Sequence, residues 1–352
     1  MTIQKLFGID LPIIQAPMAG AQSSAMAVAV SNAGGLGSLP CAMLDASGLR
    51  KELSLIAEKT AKPINVNFFC HAPPVEDSAR ENKWRELLAP FYDEFGIDSA
   101  TIPTGPGRTA FNEAMAEVLE EFKLAVVSFH FGLPPDHLLA RVKKIGAKIV
   151  ASATTIDEAL WLQAKGIDAV IAQGLEAGGH RGIFLSDDLT TQVGTFALLP
   201  QIIRTVKIPV IAAGGIANAE GVLAALDMGA AGVQIGTSYL LCPEATISDV
   251  HRAALKSDSS RHTALTNIFT GRPARGIVNR IMKSLGPINQ AAPAFPLATS
   301  AIAPLRAKAE ARGSGDFSPL WSGQNASGCK EIGAGDLTRE LARLVAQGQL
   351  LA

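Results

Sequence analysis

The 352-residue sequence predicts an α/β protein built on a closed TIM-type (β/α)8 barrel, with a helical cap formed by an insertion and a C-terminal extension. Short apolar runs alternate with amphipathic helical patterns through eight repeats. Hydrophobic residues make up 48% of the chain and aromatic residues only 5%. Ala, Val, Ile and Leu therefore dominate the core, as in parallel sheets buried on both faces. An open doubly wound sheet is the alternative, because periodicity cannot show closure.

The eight predicted strands are short, and most are followed by Gly, Pro or a small polar residue before the next helical pattern. One helix is predicted to begin at Thr155, with Glu158 as the capping-box partner, and to end at Gly166. Another is predicted to begin at Asn218 and to end at Gly229. The predicted strands cover residues 13–17, 36–39, 64–69, 125–129, 149–152, 169–172, 210–213 and 232–236.

Two segments are too long to belong to the eight strand–helix repeats, and the second of them divides the chain into two parts. Residues 1–241 are predicted to form the barrel, with a helical insertion at about residues 71–123. The insertion holds an amphipathic segment at 82–92 and a loop at 102–107. Residues 242–352 are predicted to form a helical extension on the substrate side. In the extension, 313–328 is expected to be a surface loop and 336–349 a final helix. Both segments are expected to cap the carboxyl end of the barrel, where such barrels carry their chemistry.

Charge and composition exclude several classes of partner. The chain has 31 Lys and Arg against 32 Asp and Glu, which gives no electrostatic reason to expect nucleic acid or a membrane surface as a partner. It has no apolar run long enough for a membrane helix and no apolar signal segment at its start. The four cysteines are far apart, which suits a reducing compartment. We expect a cytoplasmic monomer or homodimer that acts on a small molecule and holds no metal.

The strongest site signal is a pair of glycine-rich strand ends, at Gly214 and Gly215 and at Gly236 and Thr237. They end the seventh and eighth predicted strands, where (β/α)8 barrels often bind phosphate through backbone N–H groups and a helix N-terminus. The Thr237 hydroxyl can add a donor. The alternative is tight turns required only by packing.

A second signal is the sequence QGLEAGGHRG at residues 173–182, after the sixth predicted strand. Its four glycines allow the backbone to approach a flat ligand closely. His180 would then lie beside that ligand, with an ordinary pKa suited to proton abstraction. A structural histidine is the alternative. Glu176 and Arg181 are expected to hold the loop in place.

Polar residues also end earlier predicted strands. The sequence QAPMAG at residues 15–20 and the amides Asn65 and Asn67 can bind the edges of a heterocycle, or they can simply cap strand ends. His130 would face the barrel mouth if Val127 and Phe129 pack outward, as a substrate contact or as a structural residue. The remaining histidines, His71, His137, His251 and His262, belong to no recognisable constellation.

Taken together, these motifs resemble the nitronate monooxygenase family, once called 2-nitropropane dioxygenases, in its class I branch. The resemblance implies an FMN-dependent barrel that oxidises alkyl nitronates with O₂ to carbonyl compounds and nitrite. It rests on QAPMAG (15–20), NVNFF (65–69), HFGLPP (130–135), QGLEAGGHRG (173–182), AAGGI (212–216), GVQIGT (232–237) and FTGRPARG (269–276).

The resemblance also implies roles for single residues. His180 is the expected catalytic residue and His130 the expected substrate-binding residue. FMN rather than FAD is expected, because one phosphate site is present without a G-x-G-x-x-G fingerprint. Class I members place a Tyr and a Lys near the substrate, where this chain has Thr299 and Ala303, so the physiological substrate is left open. The expected cofactor-binding residues are Ala16, Pro17, Met18, Asn67, Gln173, Gly178, Gly179, Gly214, Gly215, Gln234, Gly236 and Thr237.

Two other functions stay open at this point. The first is an NAD(P)H-dependent flavin reductase of the same barrel, acting on an enoyl-acyl-carrier protein or a quinone. The second is a flavin-binding protein without turnover. A reaction like that of inosine-monophosphate dehydrogenase needs a nucleophilic Cys after the sixth strand, and residues 173–182 contain none.

Overall fold

The computed structural model describes residues 2–102 and 108–346, and a barrel of eight parallel strands lies at its centre. The sheet closes where Ile14 bridges Leu36. There, Gln15 N donates to Leu36 O at 3.0 Å and Leu36 N donates to Ile13 O at 2.9 Å. The predicted (β/α)8 barrel is therefore confirmed, and the open sheet is excluded.

All eight predicted barrel strands are present, and three further strands lie outside the barrel. In chain order the strands are β1 (Ile13–Gln15), β2 (Gly37–Pro40), β3 (Ile64–Phe69), β4 (Val126–His130), β5 (Lys148–Ala153), β6 (Ala169–Gln173), β7 (Gly179–His180), β8 (Val210–Ala213), β9 (Gly232–Ile235), β10 (Thr263–Thr266) and β11 (Ala274–Ile277). The barrel contains all of them except β7, β10 and β11. β1 is shorter than predicted: Ala16 N makes the last bond, to Ile235 O, and Pro17 has no N–H to continue the ladder.

Helices follow most of the barrel strands and cover the outside of the barrel. They are α1 (Ile3–Phe7), α2 (Ser24–Asn32), α3 (Ala46–Lys59), α4 (Ser78–Phe95), α5 (Glu113–Glu121), α6 (Asp136–Lys144), α7 (Ile156–Ala164), α8 (Thr195–Thr205), α9 (Ala219–Asp227), α10 (Asp249–Leu255), α11 (Arg280–Leu285), α12 (Ala298–Glu310), α13 (Ala334–Leu341) and α14 (Arg343–Ala346). Across the described residues, none of the helices is both long and apolar enough to cross a membrane.

The predicted helix ends are confirmed by their hydrogen bonds. Thr155 Oγ1 accepts from Glu158 N at 3.2 Å at the start of α7, and Asn218 Oδ1 accepts from Gly221 N at 2.9 Å at the start of α9. The Glu158 side chain does not complete the predicted capping box, because its Oε2 accepts from Thr154 N at 2.6 Å and not from Thr155 N. Just beyond these helices, Gly166 has φ +74° and Gly229 has φ +98°. Glycine adopts this left-handed conformation without a Cβ clash, so the chain reverses there.

Strand side chains alternate strictly between two environments. Outward residues such as Val127 and Phe129 pack in the core between barrel and helices. Inward residues such as Val126 and Ile171 pack with Ile3 of α1, which closes the amino end of the barrel. Nearer the carboxyl end the inward positions become polar, so the interior can meet a polar ligand only there. These polar positions are Ser38, Asn65, Asn67, Ser128, His130, Ser152, Gln173 and Gln234.

The insertion and the extension share a second hydrophobic core, which we call the cap core. Trp84 and Leu88 of α4 pack in it with Leu305 of α12. Tyr92 donates a hydrogen bond to Ala301 O at 2.6 Å. The cap core also includes Phe95, Ile102, Ile268, Phe269, Ile281, Met282, Ala292, Ile302, Ala309 and Phe317. Of the loop predicted at 102–107, residues 103–107 lie outside the described part of the chain, and the division of the chain at residue 241 stays a prediction.

The end of the extension differs from its prediction. The helix expected at 336–349 is divided into α13 and α14 at Ala342, and residues 347–349 lie outside the described range. Leu337 and Leu341 of α13 are buried in the barrel–helix core. Tyr239 and Thr338 share a hydrogen bond of 2.8 Å between their hydroxyls. This part of the extension therefore covers the outer wall of the barrel and not its mouth.

A small antiparallel sheet is the main feature that the sequence did not predict. β11 pairs with β10 on one side and with β7 on the other. The loop at 313–328, expected on the surface, continues this sheet through a bridge between Gly276 and Trp321. Phe317 and Ser322 in that loop are buried, because the loop packs between the cap core and the barrel. The surface prediction is therefore wrong for the middle of this loop, whereas Gly313, Gln324, Asn325 and Ser327 are exposed as expected.

Candidate functional site

The backbone of His180 is fixed at the carboxyl end of the barrel. In β7, His180 pairs with Ala274 of β11. Its carbonyl oxygen accepts from Gln173 Nε2 at 3.0 Å and from His130 Nε2 at 3.2 Å. Two inward side chains of the barrel thus hold the loop that carries this histidine.

Arg181 and Glu176 hold the same loop, as predicted. The Arg181 side chain is fully buried and donates to Gly174 O at 2.6 Å and to Gln173 O at 2.8 Å. The Glu176 carboxylate accepts from Thr195 N at 2.8 Å. Burial lowers the pKa of Arg181 to about 10, which leaves the group charged at neutral pH.

Arg181→Met should lower the free energy of unfolding by roughly 3 kcal/mol, because it removes the buried hydrogen bonds to Gln173 O, Gly174 O and Gln192 Oε1. Urea denaturation measures the loss. Arg312→Met is the matched control: Arg312 is exposed and lies over Phe95, 4.6 Å from the ring centroid. The control should lose less than about 1 kcal/mol. Equal losses in the two variants would contradict the anchoring role of Arg181.

The ring of His180 lies in an aromatic box made of Phe69, Phe131, Phe295 and Trp321. The distances from its ring centroid to theirs are 5.9, 5.9, 5.4 and 5.6 Å. The four rings come from β3, the end of β4, the segment before α12 and the loop after it. Barrel and extension together therefore enclose the histidine in a largely apolar space.

Hydrogen bonding assigns the tautomer of His180. Its Nε2 lies 3.0 Å from Thr270 Oγ1. The Thr270 hydroxyl donates to Arg272 O at 3.3 Å, so its oxygen accepts the proton of Nε2. Among the described residues, Nδ1 has no hydrogen-bonding partner. The lone pair of a neutral His180 is therefore on Nδ1 and free to accept a proton.

The surroundings keep His180 neutral. Burial lowers its pKa well below the ordinary value, and the nearby Arg108, His130, Arg272 and His71 lower it further. A depressed pKa means that the imidazole stays unprotonated at pH 7 and remains so on moderate acidification. The ring is thus unprotonated and able to accept a proton in the resting protein, but its pKa is lower than the ordinary value expected from the sequence, which makes it a weaker base.

His130 uses both ring nitrogens within the protein. Nε2 must donate to the His180 carbonyl, so Nδ1 accepts from Ser152 Oγ at 3.0 Å. Burial is the main cause that lowers the pKa of His130 to about 4, and it is neutral at pH 7. The structure thus places His130 as a support for the His180 loop, and its substrate contact stays a prediction.

His71 belongs to this cluster, although it was assigned to no site from the sequence. Its ring packs edge-on against Phe295 with a centroid distance of 4.8 Å, and its Nδ1 is buried without a hydrogen-bonding partner. Two cations accompany it, Arg108 and Arg272, which lie over rings of the aromatic box. Its position just beyond the carboxyl end of β3 is the sequence feature that could have assigned His71 to the site.

Several glycines meet at one side of the mouth, in what we call the glycine corner. Gly214 and Gly215 have φ +115° and +74°, which other residues rarely adopt. A Cβ on Gly214 would lie 3.1 Å from Ala177 N, and a Cβ on Gly178 would lie 2.5 Å from Gly323 N. The glycine corner comprises Gly178, Gly179, Gly214, Gly215, Gly236 and Gly323.

Thr237 and Gly323 complete this corner. Thr237 begins a short 3₁₀ helix, Thr237–Leu241, directly after Gly236, and its Oγ1 accepts from Gly323 N at 2.9 Å. Since its oxygen accepts that bond, its own proton is available to a ligand. Gly323 was missed from sequence because it lies in the loop that was expected on the surface.

The predicted polar amides of Gln15 and Gln173 already make hydrogen bonds within the protein. Gln15 is fully buried and exchanges hydrogen bonds with Gln22, while its Oε1 accepts from Ser38 N at 3.0 Å. Gln15 therefore has the capping role that was one of its two interpretations. The Gln173 side chain is hydrogen-bonded within the protein: its Nε2 donates to His180 O at 3.0 Å, and its Oε1 accepts from Gly182 N at 2.7 Å.

The other predicted cofactor residues border the mouth. A Cβ on Gly236 would lie 3.4 Å from Ala16 Cβ and 3.7 Å from Met18 Sδ, so the segment containing Pro17 lies beside the glycine corner. The Asn67 amide donates to Ser128 Oγ at 2.9 Å. Gln234 is half-buried and faces inward on β9.

Thr299 and Ala303 contribute no positive charge on the side of the extension. Thr299 Oγ1 donates to Phe269 O at 3.2 Å, and Ala303 is exposed on α12. Within the described residues, His, Cys, Asp and Glu form no group of three or more that could hold a metal ion. The site thus combines a proton acceptor, aromatic walls, two cations and a corner of backbone donors.

This donor set fits a flat cofactor with a phosphate. The polar inward layer and the glycines offer hydrogen bonds and close backbone approach, and the corner with the Thr237 hydroxyl suits a phosphate. Because α1 closes the opposite end of the barrel, such a ligand would lie across the carboxyl end, between the barrel and the aromatic box.

Comparison with known proteins agrees with this architecture. The family model for nitronate monooxygenase matches residues 1–343. A nitronate monooxygenase from Paraburkholderia phytofirmans is 42% identical, over 97% of this chain and 94% of the relative. Another from Pseudomonas aeruginosa is 41% identical, over 96% of this chain and 97% of the relative.

Two solved structures share this fold over nearly the whole chain. A nitroalkane oxidase from Streptomyces ansochromogenes superposes with a TM-score of 0.88 at 36% identity, covering 99% of this chain and 98% of the other. FabK from Thermotoga maritima superposes with a TM-score of 0.73 at 27% identity, covering 99% and 97%.

Proposed function

The chain belongs to the nitronate monooxygenase family of flavin-dependent oxidoreductases, and on this premise we propose that it uses FMN and O₂ to oxidise alkyl nitronates to carbonyl compounds and nitrite. The observation that carries the proposal is His180: a neutral imidazole with a free Nδ1, enclosed by aromatic rings at the mouth of the barrel. Nitroalkanes and nitronates are small, so an apolar box of this kind suits them.

In this proposal, residues of the glycine corner and its neighbours hold FMN. Gly214, Gly215, Gly236 and Thr237 would bind the phosphate through backbone N–H groups and the Thr237 hydroxyl. The remaining groups would border the flavin ring, where glycine permits close approach. These are Ala16, Pro17, Met18, Asn67, Gln173, Gly178, Gly179 and Gln234. When bound, FMN supplies the redox chemistry with O₂.

His180 prepares the substrate. Its Nδ1 removes the proton from the carbon next to the nitro group, while the Nε2 hydrogen bond to Thr270 fixes the ring. Gln173 and His130 hold its carbonyl, so the ring keeps its place during the transfer. A pre-formed nitronate needs no such step and enters with its negative charge.

The cofactor should be FMN and not FAD. The mouth offers one phosphate corner, and the strand–helix turns carry no dinucleotide fingerprint. Denaturing the purified protein and identifying the released flavin by mass spectrometry tests this. An adenine-containing flavin would show that the expectation is wrong.

The function itself is tested on the purified, flavin-loaded protein. Anaerobic addition of ethyl nitronate should bleach the flavin absorption, and admission of air should restore it and release nitrite. The likeness to FabK gives some weight to the flavin reductase alternative. Rapid anaerobic bleaching by NADH without nitrite from any nitronate would favour that alternative. Bound FMN with neither activity would indicate a flavin-binding protein without turnover.

A further inference from the structure

Two guanidinium groups lie on the aromatic walls around His180. The Cζ of Arg108 lies 5.8 Å from the ring centroid of Phe295, and the Cζ of Arg272 lies 4.2 Å from that of Phe131. Both rings belong to the aromatic box, with centroids 5.4 and 5.9 Å from that of His180. Each cation is thus separated from the His180 ring by no more than one aromatic side chain.

Neither cation has a carboxylate partner. Within the described residues, no Asp or Glu oxygen lies within 4.0 Å of either guanidinium, whereas surface arginines such as Arg50 and Arg280 have such partners. Burial lowers the pKa of both groups, and Asp187 and Glu158 act on Arg272 only from a greater distance. A half-buried, unpaired cation is costly unless an anion joins it.

Two unsatisfied buried atoms lie in the same place. His71 is 7% exposed, its Nδ1 has no hydrogen-bonding partner, and its ring packs against Phe295. The Nε of Arg272 is likewise buried without a partner, although its Nη2 donates to Ile183 O. Buried polar groups in native proteins are nearly always paired, so these two atoms indicate a polar ligand beside His71 and Arg272.

We propose that Arg108 binds the negative charge of the substrate, with Arg272 Nε and His71 as supporting contacts. This inference rests on the proposed function. It also accounts for a positive charge near the substrate in a chain that has Ala303 where class I members have a Lys. The positive charge comes from the insertion, through Arg108, and from the loop before β11, through Arg272, and no Lys on α12 is needed.

The kinetic test is Arg108→Gln in the flavin-loaded protein. Loss of one charge-assisted contact should raise KM for ethyl nitronate roughly 10- to 100-fold, with kcat little changed. KM for neutral nitroethane should change less than about 2-fold. Arg312→Gln, which also removes an arginine from an aromatic ring but outside the site, should change neither KM. Arg108→Lys should recover part of the nitronate affinity.

A binding measurement provides the second readout. Nitrate is a planar, singly charged anion that cannot be oxidised, and calorimetric titration gives its Kd without turnover. Arg108→Gln and Arg272→Gln should each weaken nitrate binding roughly 10-fold or more, and Arg312→Gln should not. Melting temperature and flavin content establish that the variants are folded. Nitrate binding by Arg108→Gln equal to that of Arg312→Gln would overturn the inference.

The two measurements separate this inference from the proposed function. If the protein makes no nitrite from any nitronate but loses nitrate binding in Arg108→Gln, the proposed function fails and the anion site remains. If nitronates are oxidised with an unchanged KM in Arg108→Gln, the function stands and Arg108 is not the recognition residue.

Discussion

His180→Asn should lower turnover of neutral nitroalkanes by roughly 10²- to 10⁴-fold, the usual contribution of a positioned general base. Turnover of pre-formed nitronates should fall much less, because they need no proton removed. FMN should be retained, since the ring lies in the aromatic box and not in the glycine corner. Initial rates of nitrite release on nitroethane and on ethyl nitronate give the ratio that identifies the base.

The pH dependence adds an independent check on His180. Because burial lowers its pKa well below the ordinary value, the neutral, active form persists as the pH falls through 6.5. The rate on nitroethane in the wild-type protein should therefore stay level between about pH 7.5 and 6.

In the His180→Asn experiment, equal losses on both substrates would mean that the ring orients the anion. Unchanged rates would give His180 a structural role and make His130 the next candidate.

Gly236→Asp should abolish most FMN binding. Its Cβ has room, 3.4 Å from Ala16 Cβ and 3.7 Å from Met18 Sδ, so the fold itself tolerates a side chain. The added carboxylate, however, would meet the phosphate in a partly dry corner. We expect a cost of at least a few kcal/mol, roughly a 100-fold or greater loss of affinity. Flavin content after purification and fluorescence titration with FMN measure it.

Gly236→Asn separates charge from size, because its side chain has the same shape without the negative charge. It should keep substantially more FMN than Gly236→Asp, and both variants should have melting temperatures close to that of the unliganded wild type. Full flavin occupancy in Gly236→Asp would show that the phosphate lies elsewhere at the barrel mouth.

The barrel could be predicted from sequence because its signals are local. Each repeat carries its own apolar run and its own caps, such as Thr155 and Gly166, and these identify strands and helices without knowledge of the rest of the chain. The glycine-rich strand ends, His180 and the anchoring roles of Arg181 and Glu176 were found in the same way, from short motifs at fixed places in the repeat.

The features that could not be predicted from sequence depend on contacts between distant segments. β7 is two residues long and becomes a strand only because β11, about 90 residues later, pairs with it. Arg108 and Gly323 reach the site through an insertion and a loop whose course no local period indicates. Side-chain packing decides where such segments lie, so their residues cannot be assigned to a site from spacing alone.

The cap core has a consequence for how the protein is synthesised. Its α4 half leaves the ribosome about 200 residues before its α12 half, so Trp84, Leu88 and Tyr92 lack the α12 part of their apolar partner surface until then. All eight barrel strands have left the ribosome by that time, but α13, which packs on the barrel wall, has not, so a nascent chain carries an incompletely covered barrel and a partly exposed apolar helix. Such surfaces bind chaperones or aggregate. Chains truncated before residue 298 should therefore be recovered mainly in the insoluble fraction, even though every barrel strand is present.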